Sequence, residues 1–243
     1  MRANPFRMSL FGLAFVVIAP MSLAGGQTLS PELIGGIPVS ASRFPEVIQV
    51  TSEGKICTAT VVGPRTILMA AHCISEKNPL VEFKMEGRLY QAMGIRSPYL
   101  KQNHNLALGV VFQSTLPVRP ASIGGSASIG REILFLGYGS NRPDCQPQAE
   151  KHLRLGDAYV SELTDLEMLS SNKDVAFCED DGGSPAFLED FPQPVVIGVG
   201  NRIKDPSKNR FSRTDSRESQ QFFRDVATNY GLDICGITVD CSQ

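Results

Sequence analysis

Short apolar runs broken by turn residues recur along most of the chain. The stretch Thr60-Val-Val-Gly-Pro-Arg-Thr-Ile-Leu-Met69 reads as two strands joined at a Gly63-Pro64 turn. Residues 81–85, 89–95 and 106–112 continue the series. A second set opens with the strand 132–139, followed by a polar loop over 140–154 and another strand around 157–160. No repeat is present, and no long helical period interrupts the strands. Near the end, Gln220-Gln-Phe222-Phe223-Arg-Asp-Val226 fits an amphipathic helix with its three apolar residues on one side. The pattern predicts antiparallel all-β barrels with short hairpins, closed off by a C-terminal helix.

The front end has a different pattern. Residues 1–24 have the layout of a secretory signal: Arg2 and Arg7, an apolar centre over 10–19, and Ser22-Leu23-Ala24 as a cleavage site. That centre is too short for a membrane span and ends at Pro20. The implied location is secreted or periplasmic, with no membrane contact after signal cleavage. Six cysteines then read as disulfides in an oxidising compartment. They show no Cys-x-x-Cys pair and no ligand spacing with histidine, so neither a metal site nor a cofactor is expected. A net charge of −2 gives no electrostatic case for nucleic acid.

The candidate chemistry starts at Ile67-Leu-Met-Ala-Ala-His72-Cys73. The hairpin brings Cys57 back beside Cys73 and fixes the backbone next to His72. Taken alone, such a histidine is an ordinary core residue. With Ala-Ala-His-Cys after an apolar strand, however, the segment resembles the histidine motif of the trypsin/chymotrypsin-like serine peptidases (peptidase S1). The resemblance implies two packed antiparallel β-barrels, over about 33–120 and 130–230, within one domain spanning 33–243. It also makes Cys57–Cys73 the disulfide of the histidine loop.

Other segments extend the resemblance. Leu33-Ile34-Gly35-Gly36 is similar to the start of a mature peptidase of this family, leaving 25–32 as a short propeptide-like segment. Family members insert the new α-amino group beside a buried aspartate, here Leu33 beside Asp181. Glu32 precedes Leu33, so a protease of trypsin-like specificity would not make that cut. His104-Asn105-Leu106-Ala107-Leu108 resembles the segment carrying the triad aspartate, with Asn105 in its place. Glu132-Ile-Leu-Phe-Leu-Gly-Tyr-Gly139 resembles a strand of the second barrel.

Cys178-Glu-Asp-Asp181-Gly182-Gly183-Ser184-Pro185 stands where the family has Cys-x-Gly-Asp-Ser-Gly-Gly-Pro. Gly182 then occupies the position of the serine nucleophile, Asp180 that of an oxyanion-hole glycine, and Ser184 falls two positions late. Ala176 stands at the specificity-pocket aspartate of trypsin-like members, and Asn201-Arg202-Ile203 at the substrate-binding edge. The six cysteines allow fifteen connectivities. The fold implied by the resemblance favours Cys145–Cys178, and sequence proximity favours Cys235–Cys241.

A serine hydroxyl needs a histidine to take its proton, and the histidine needs a carboxylate to set its tautomer. With Gly182 and Asn105 in those places, the expected function is that of a monomeric homologue without peptidase chemistry, acting by binding a protein or peptide partner. The other reading is an active secreted endopeptidase using His72 with Ser184 in a rearranged loop.

Overall fold

The computed structural model describes residues 36–113, 115–140, 145, 152–171, 175–188, 193–201 and 208–241. The signal-like and propeptide-like segments, Leu33, Arg202 and Ile203 lie outside them. The first half contains β1 (Ile37–Pro38), β2 (Val47–Ser52), β3 (Lys55–Gly63), β4 (Thr66–Ala70), β5 (Leu80–Met85), β6 (Arg88–Arg96) and β7 (Leu106–Val111). The second contains β8 (Ser122–Ile123), β9 (Glu132–Gly137), β10 (Arg154–Leu163), β11 (Glu167–Ser170), β12 (Pro185–Leu188), β13 (Val195–Gly200), β14 (Asn209–Arg213) and α1 (Arg217–Tyr230).

Strands β2-β3-β4-β7-β6-β5 close into one antiparallel barrel. Strands β10-β11-β14-β13-β12-β9 form the second, which closes because β9 also pairs with β10. The short β8 adds in parallel to β13. Both barrels and the C-terminal helix agree with the expected fold class. Two boundaries differ. The strand expected around 157–160 begins at Arg154, inside what reads as loop, because Arg154 pairs with Gly137 on β9. The N-terminal β1 pairs with β10, so it joins the second barrel, and the first barrel starts at Val47.

The strands that carry the histidine are buried on both faces. Every residue of β4 and β7 is buried, as is β3 from Cys57 onward. One face of each lines the barrel, and the other is covered by neighbouring elements; α1 packs on β7 and β13 contacts β4. Continuous apolar sequence, rather than strict alternation, is what such two-sided burial requires. The second barrel is centred on Phe135, Phe177 and Phe211, whose rings meet edge to face at centroid separations of 5.1–5.8 Å.

Helix α1 starts at Ser216, whose Oγ accepts from the Ser219 N–H, and Glu218 places a negative charge in the first turn. Gly231 ends it in the left-handed region at φ 59°, where glycine carries no Cβ penalty. The helix buries Phe222, Phe223, Val226 and Ala227. It is tied to the first barrel by His104, which is fully buried between Ser97 Oγ at Nδ1 and Ser219 Oγ at Nε2.

Burial pushes the His104 imidazole down to about 4, against a smaller upward pull from Glu218. Above pH 6.5 the ring is neutral in both folded and unfolded chains, so it carries no penalty. As pH falls from 6.5 to about 4, the unfolded chain takes the proton first and stability is lost. The window corresponds to roughly 3 kcal/mol. Melting temperatures at pH 7.5 and pH 4 should therefore converge in His104→Gln relative to wild type. An unchanged acid loss in that variant would assign it to other groups.

Candidate active site

The register of the first barrel brings His72 and Asn105 together. Met69 faces Ala107 and Ala70 faces Leu106 across the β4–β7 pair. The chain leaving β4 as the 3-10 turn Ala71–Cys73 therefore meets the chain entering β7. The Ala71 N–H donates to the Asn105 carbonyl at 3.1 Å, and the Asn105 N–H to Ser212 Oγ at 3.2 Å. Cys57–Cys73 clamps the same turn to β3.

The orientation of the Asn105 carboxamide follows from its neighbours. The His72 backbone N–H is a donor only, and it donates to Asn105 Oδ1 at 2.9 Å. That assigns the oxygen, so Nδ2 is the atom facing His72 Nδ1; it also donates to Asn201 Oδ1. His72 Nδ1 must then accept, and a neutral ring carries its proton on Nε2. An aspartate would accept at both places and leave the Nε2 lone pair available as a base. Here the atom aimed at Gly182 bears a hydrogen instead.

Position 182 is closely covered. A Cβ added there would come within 2.3 Å of His72 Nε2 and 2.9 Å of Cε1, so the imidazole occupies the space a serine side chain would need. Gly183 has φ +90°, and a Cβ on it would meet the Thr58 carbonyl at 2.0 Å. Only glycine fits that crossing between barrels. Ser184 is fully buried and makes no side-chain hydrogen bond. Its Oγ lies beside Gly137, where an added Cβ would approach it to 2.5 Å. The Cys57, His72 and Cys73 ligand atoms lie within 4.8 Å of one another, but both sulfurs are committed to the disulfide and are not thiolate ligands.

Asp181 has no exposure and sits on the 3-10 turn Glu179–Asp181. Its carboxylate accepts from the Gly139 N–H at 2.7 Å and the Cys178 N–H at 2.8 Å. It lies so close to Gly137 and Gly139 that a Cβ at either would come within 2.1 Å of it. Arg154, across the strand pair from Gly137, is also buried and donates from Nη1 to the Gly36 carbonyl at 3.1 Å. Burial lowers the Arg154 guanidinium to about 10, and the Asp181 charge opposes that shift. The expected partner of Asp181, the Leu33 amino group, lies outside the described residues. Sequence reading missed Arg154, whose only signal is a charged residue at the edge of a polar stretch.

Next to Ala176, the Phe177 ring is almost fully buried and lies 3.2 Å from where a Gly200 Cβ would be. The Asn209 carboxamide accepts from the Phe177 N–H and donates to the Val175 carbonyl, both at 2.9 Å, which stitches this segment to β14. A polar cavity of about 230 Å³ beside His72 is lined also by Asn105, Asn201, Glu167 and Arg210, with Leu100 and Asn103 completing its lining. All three expected disulfides form: Cys57–Cys73, Cys145–Cys178 and Cys235–Cys241.

Two closed barrels with a histidine turn and a cysteine-framed loop meeting between them define the architecture of a chymotrypsin-type peptidase. Residues 33–212 match the family profile described as Trypsin, and the chain belongs to that family. Among solved structures, it is similar to a Glu endopeptidase bound to MPD, at 15% identity and TM-score 0.66, covering 80% of this chain and 97% of that one. It is equally similar to a scabies mite inactivated protease paralogue, S-D1, at 15% identity and TM-score 0.66, covering 83% of this chain and all of the other. Both likenesses describe the fold. The disulfides and the family point to an extracellular protein, and no helix among the described residues is long and apolar enough to cross a membrane.

Proposed function

We propose that the protein is a secreted or periplasmic member of the trypsin family that has lost peptidase chemistry and acts by binding a protein or peptide partner. The observation that carries this reading is at position 182. No hydroxyl stands there, and the His72 ring fills the space above it. The carboxamide of Asn105 adds a second obstacle, because it turns the base into a donor toward that position. The two similar structures include one named as an endopeptidase and one named as inactivated, so the fold is compatible with either state and the site decides. Ser184 is a poor substitute nucleophile, since its hydroxyl is buried beside Gly137.

The test is labelling of the secreted protein with a serine-directed fluorophosphonate. Wild type should show none above a heat-denatured control. Stoichiometric labelling that disappears in Ser184→Ala would overturn the reading and promote the endopeptidase using His72 and Ser184.

A further inference from the structure

The polar cavity beside His72 has a donor and an acceptor fixed side by side. Glu167 on β11 and Arg210 on β14 meet diagonally across their strand pair, with Arg210 Nη1 donating to Glu167 Oε2 at 2.7 Å. The Glu167 side chain is only 8% exposed, while the Arg210 side chain, which also lines the cavity, is 33% exposed. The other Glu167 oxygen, Oε1, receives only a long contact of 3.5 Å from Asn201 Nδ2. Among the described residues, no contact besides that to Glu167 uses the Arg210 guanidinium. A guanidinium has five N–H donors, so most of them remain to be used. The Asn105 NH₂, by contrast, has both of its hydrogens committed, to His72 and Asn201.

The geometry points to this cavity as the pocket for a carboxamide side chain, glutamine or asparagine, of a bound peptide. This assignment rests on the peptide-binding reading above. A carboxamide carries an acceptor and a donor in one plane, so its oxygen can take the spare Arg210 N–H groups while its NH₂ donates to Glu167 Oε1. A carboxylate would answer the guanidinium but face the Glu167 charge, and an ammonium would do the reverse. A thioether or alkyl side chain would leave both charged groups desolvated without a partner. A single hydroxyl is too short to span the pair.

The test uses the full secreted protein and four capped peptides, acetyl-Ala-X-Ala-amide with X as Gln, Glu, Lys or Met. Binding is followed by side-chain NMR shifts of Arg210 Nε–H and the Asn201 and Asn103 amides, and peptide mass is checked before and after titration. The Gln peptide should bind about tenfold more tightly than each of the others. Replacing both charges in Glu167→Met, Arg210→Met avoids leaving one buried ion alone, and should bring Gln to within about twofold of Met. Equal binding of the four peptides by wild type, tighter binding of Glu or Lys, or shifts confined to residues away from the cavity would overturn the assignment. If the double variant does not fold, the wild-type ranking and shift positions still decide. Cleavage of the peptides would overturn the non-catalytic reading, while the ranking by Kd would still judge the pocket.

Discussion

Restoring Gly182→Ser, Asn105→Asp and Asp180→Gly together should produce ester hydrolysis at least about 10³-fold above any of the three single variants. Gly182→Ser alone should stay near background for two reasons. Its Cβ collides with the present position of the His72 ring, and that ring offers a hydrogen rather than a lone pair toward the new hydroxyl. Asn105→Asp alone corrects the tautomer but gives the base nothing to deprotonate. An asparagine at this point of a trypsin-type triad costs about 10⁴ in turnover, so the aspartate is the substitution on which the other two depend. Asp180→Gly removes a negative side chain from the place where the resemblance puts the oxyanion hole. The measurement is hydrolysis of an activated ester and of fluorogenic peptides across the singles, doubles and triple. With Ala176 at the position where the resemblance puts the specificity-pocket aspartate, the triple should show no preference for Lys or Arg substrates. Strict additivity of the three changes would mean that they do not act as one unit, and with that the account of the defect would fall.

Local sequence carried much of this site, and the reason is geometric. The histidine, its disulfide and the hairpin sit within a span of 17 residues, so one turn and one strand pair are enough to place them. Cys178 and Pro185 fix the register of the second loop without reference to any other segment. What could not be read is what depends on pairing across long distances. Glu167 and Arg210 lie 43 residues apart and meet only because β11 pairs with β14. Asn209 reaches the Phe177 N–H and the Val175 carbonyl only because β14 carries it there. Arg154 ends a polar stretch, and nothing local tells that it is the first residue of a strand facing Gly137. His104 is adjacent to Asn105 in sequence, yet one of its partners, Ser219, lies 115 residues away and reaches it only through the helix α1. The tautomer problem shows both cases at once. Asn105 could be named from sequence, but its oxygen is assigned only by the His72 backbone N–H that the barrel register delivers.

Asp181→Ala should cost about 3–5 kcal/mol of folding stability, read as a loss of midpoint in urea unfolding. The carboxylate lies without exposure among glycines, and removing it leaves the buried N–H groups of Gly139 and Cys178 without their acceptor. It also removes the negative charge that offsets the burial of Arg154. These two contributions separate in a double-mutant cycle with Arg154→Met. If Asp181 compensates Arg154, the second substitution should cost less in the Asp181→Ala background than in wild type, by about 1 kcal/mol or more, because no uncompensated cation remains. The same cycle tests the activation expected from the resemblance. A chain cut before Leu33 would bring a second cation, its α-amino group, to the carboxylate. Arg154→Met would then be milder in the cut chain than in the uncut one. Protein secreted with and without cleavage, separated by N-terminal sequencing, supplies both forms. Equal costs in the two forms, together with a strong coupling, would mean that Asp181 is held by Arg154 and its backbone donors whether or not the chain is processed. A coupling of zero would remove Arg154 from the account of how this loop is kept in place.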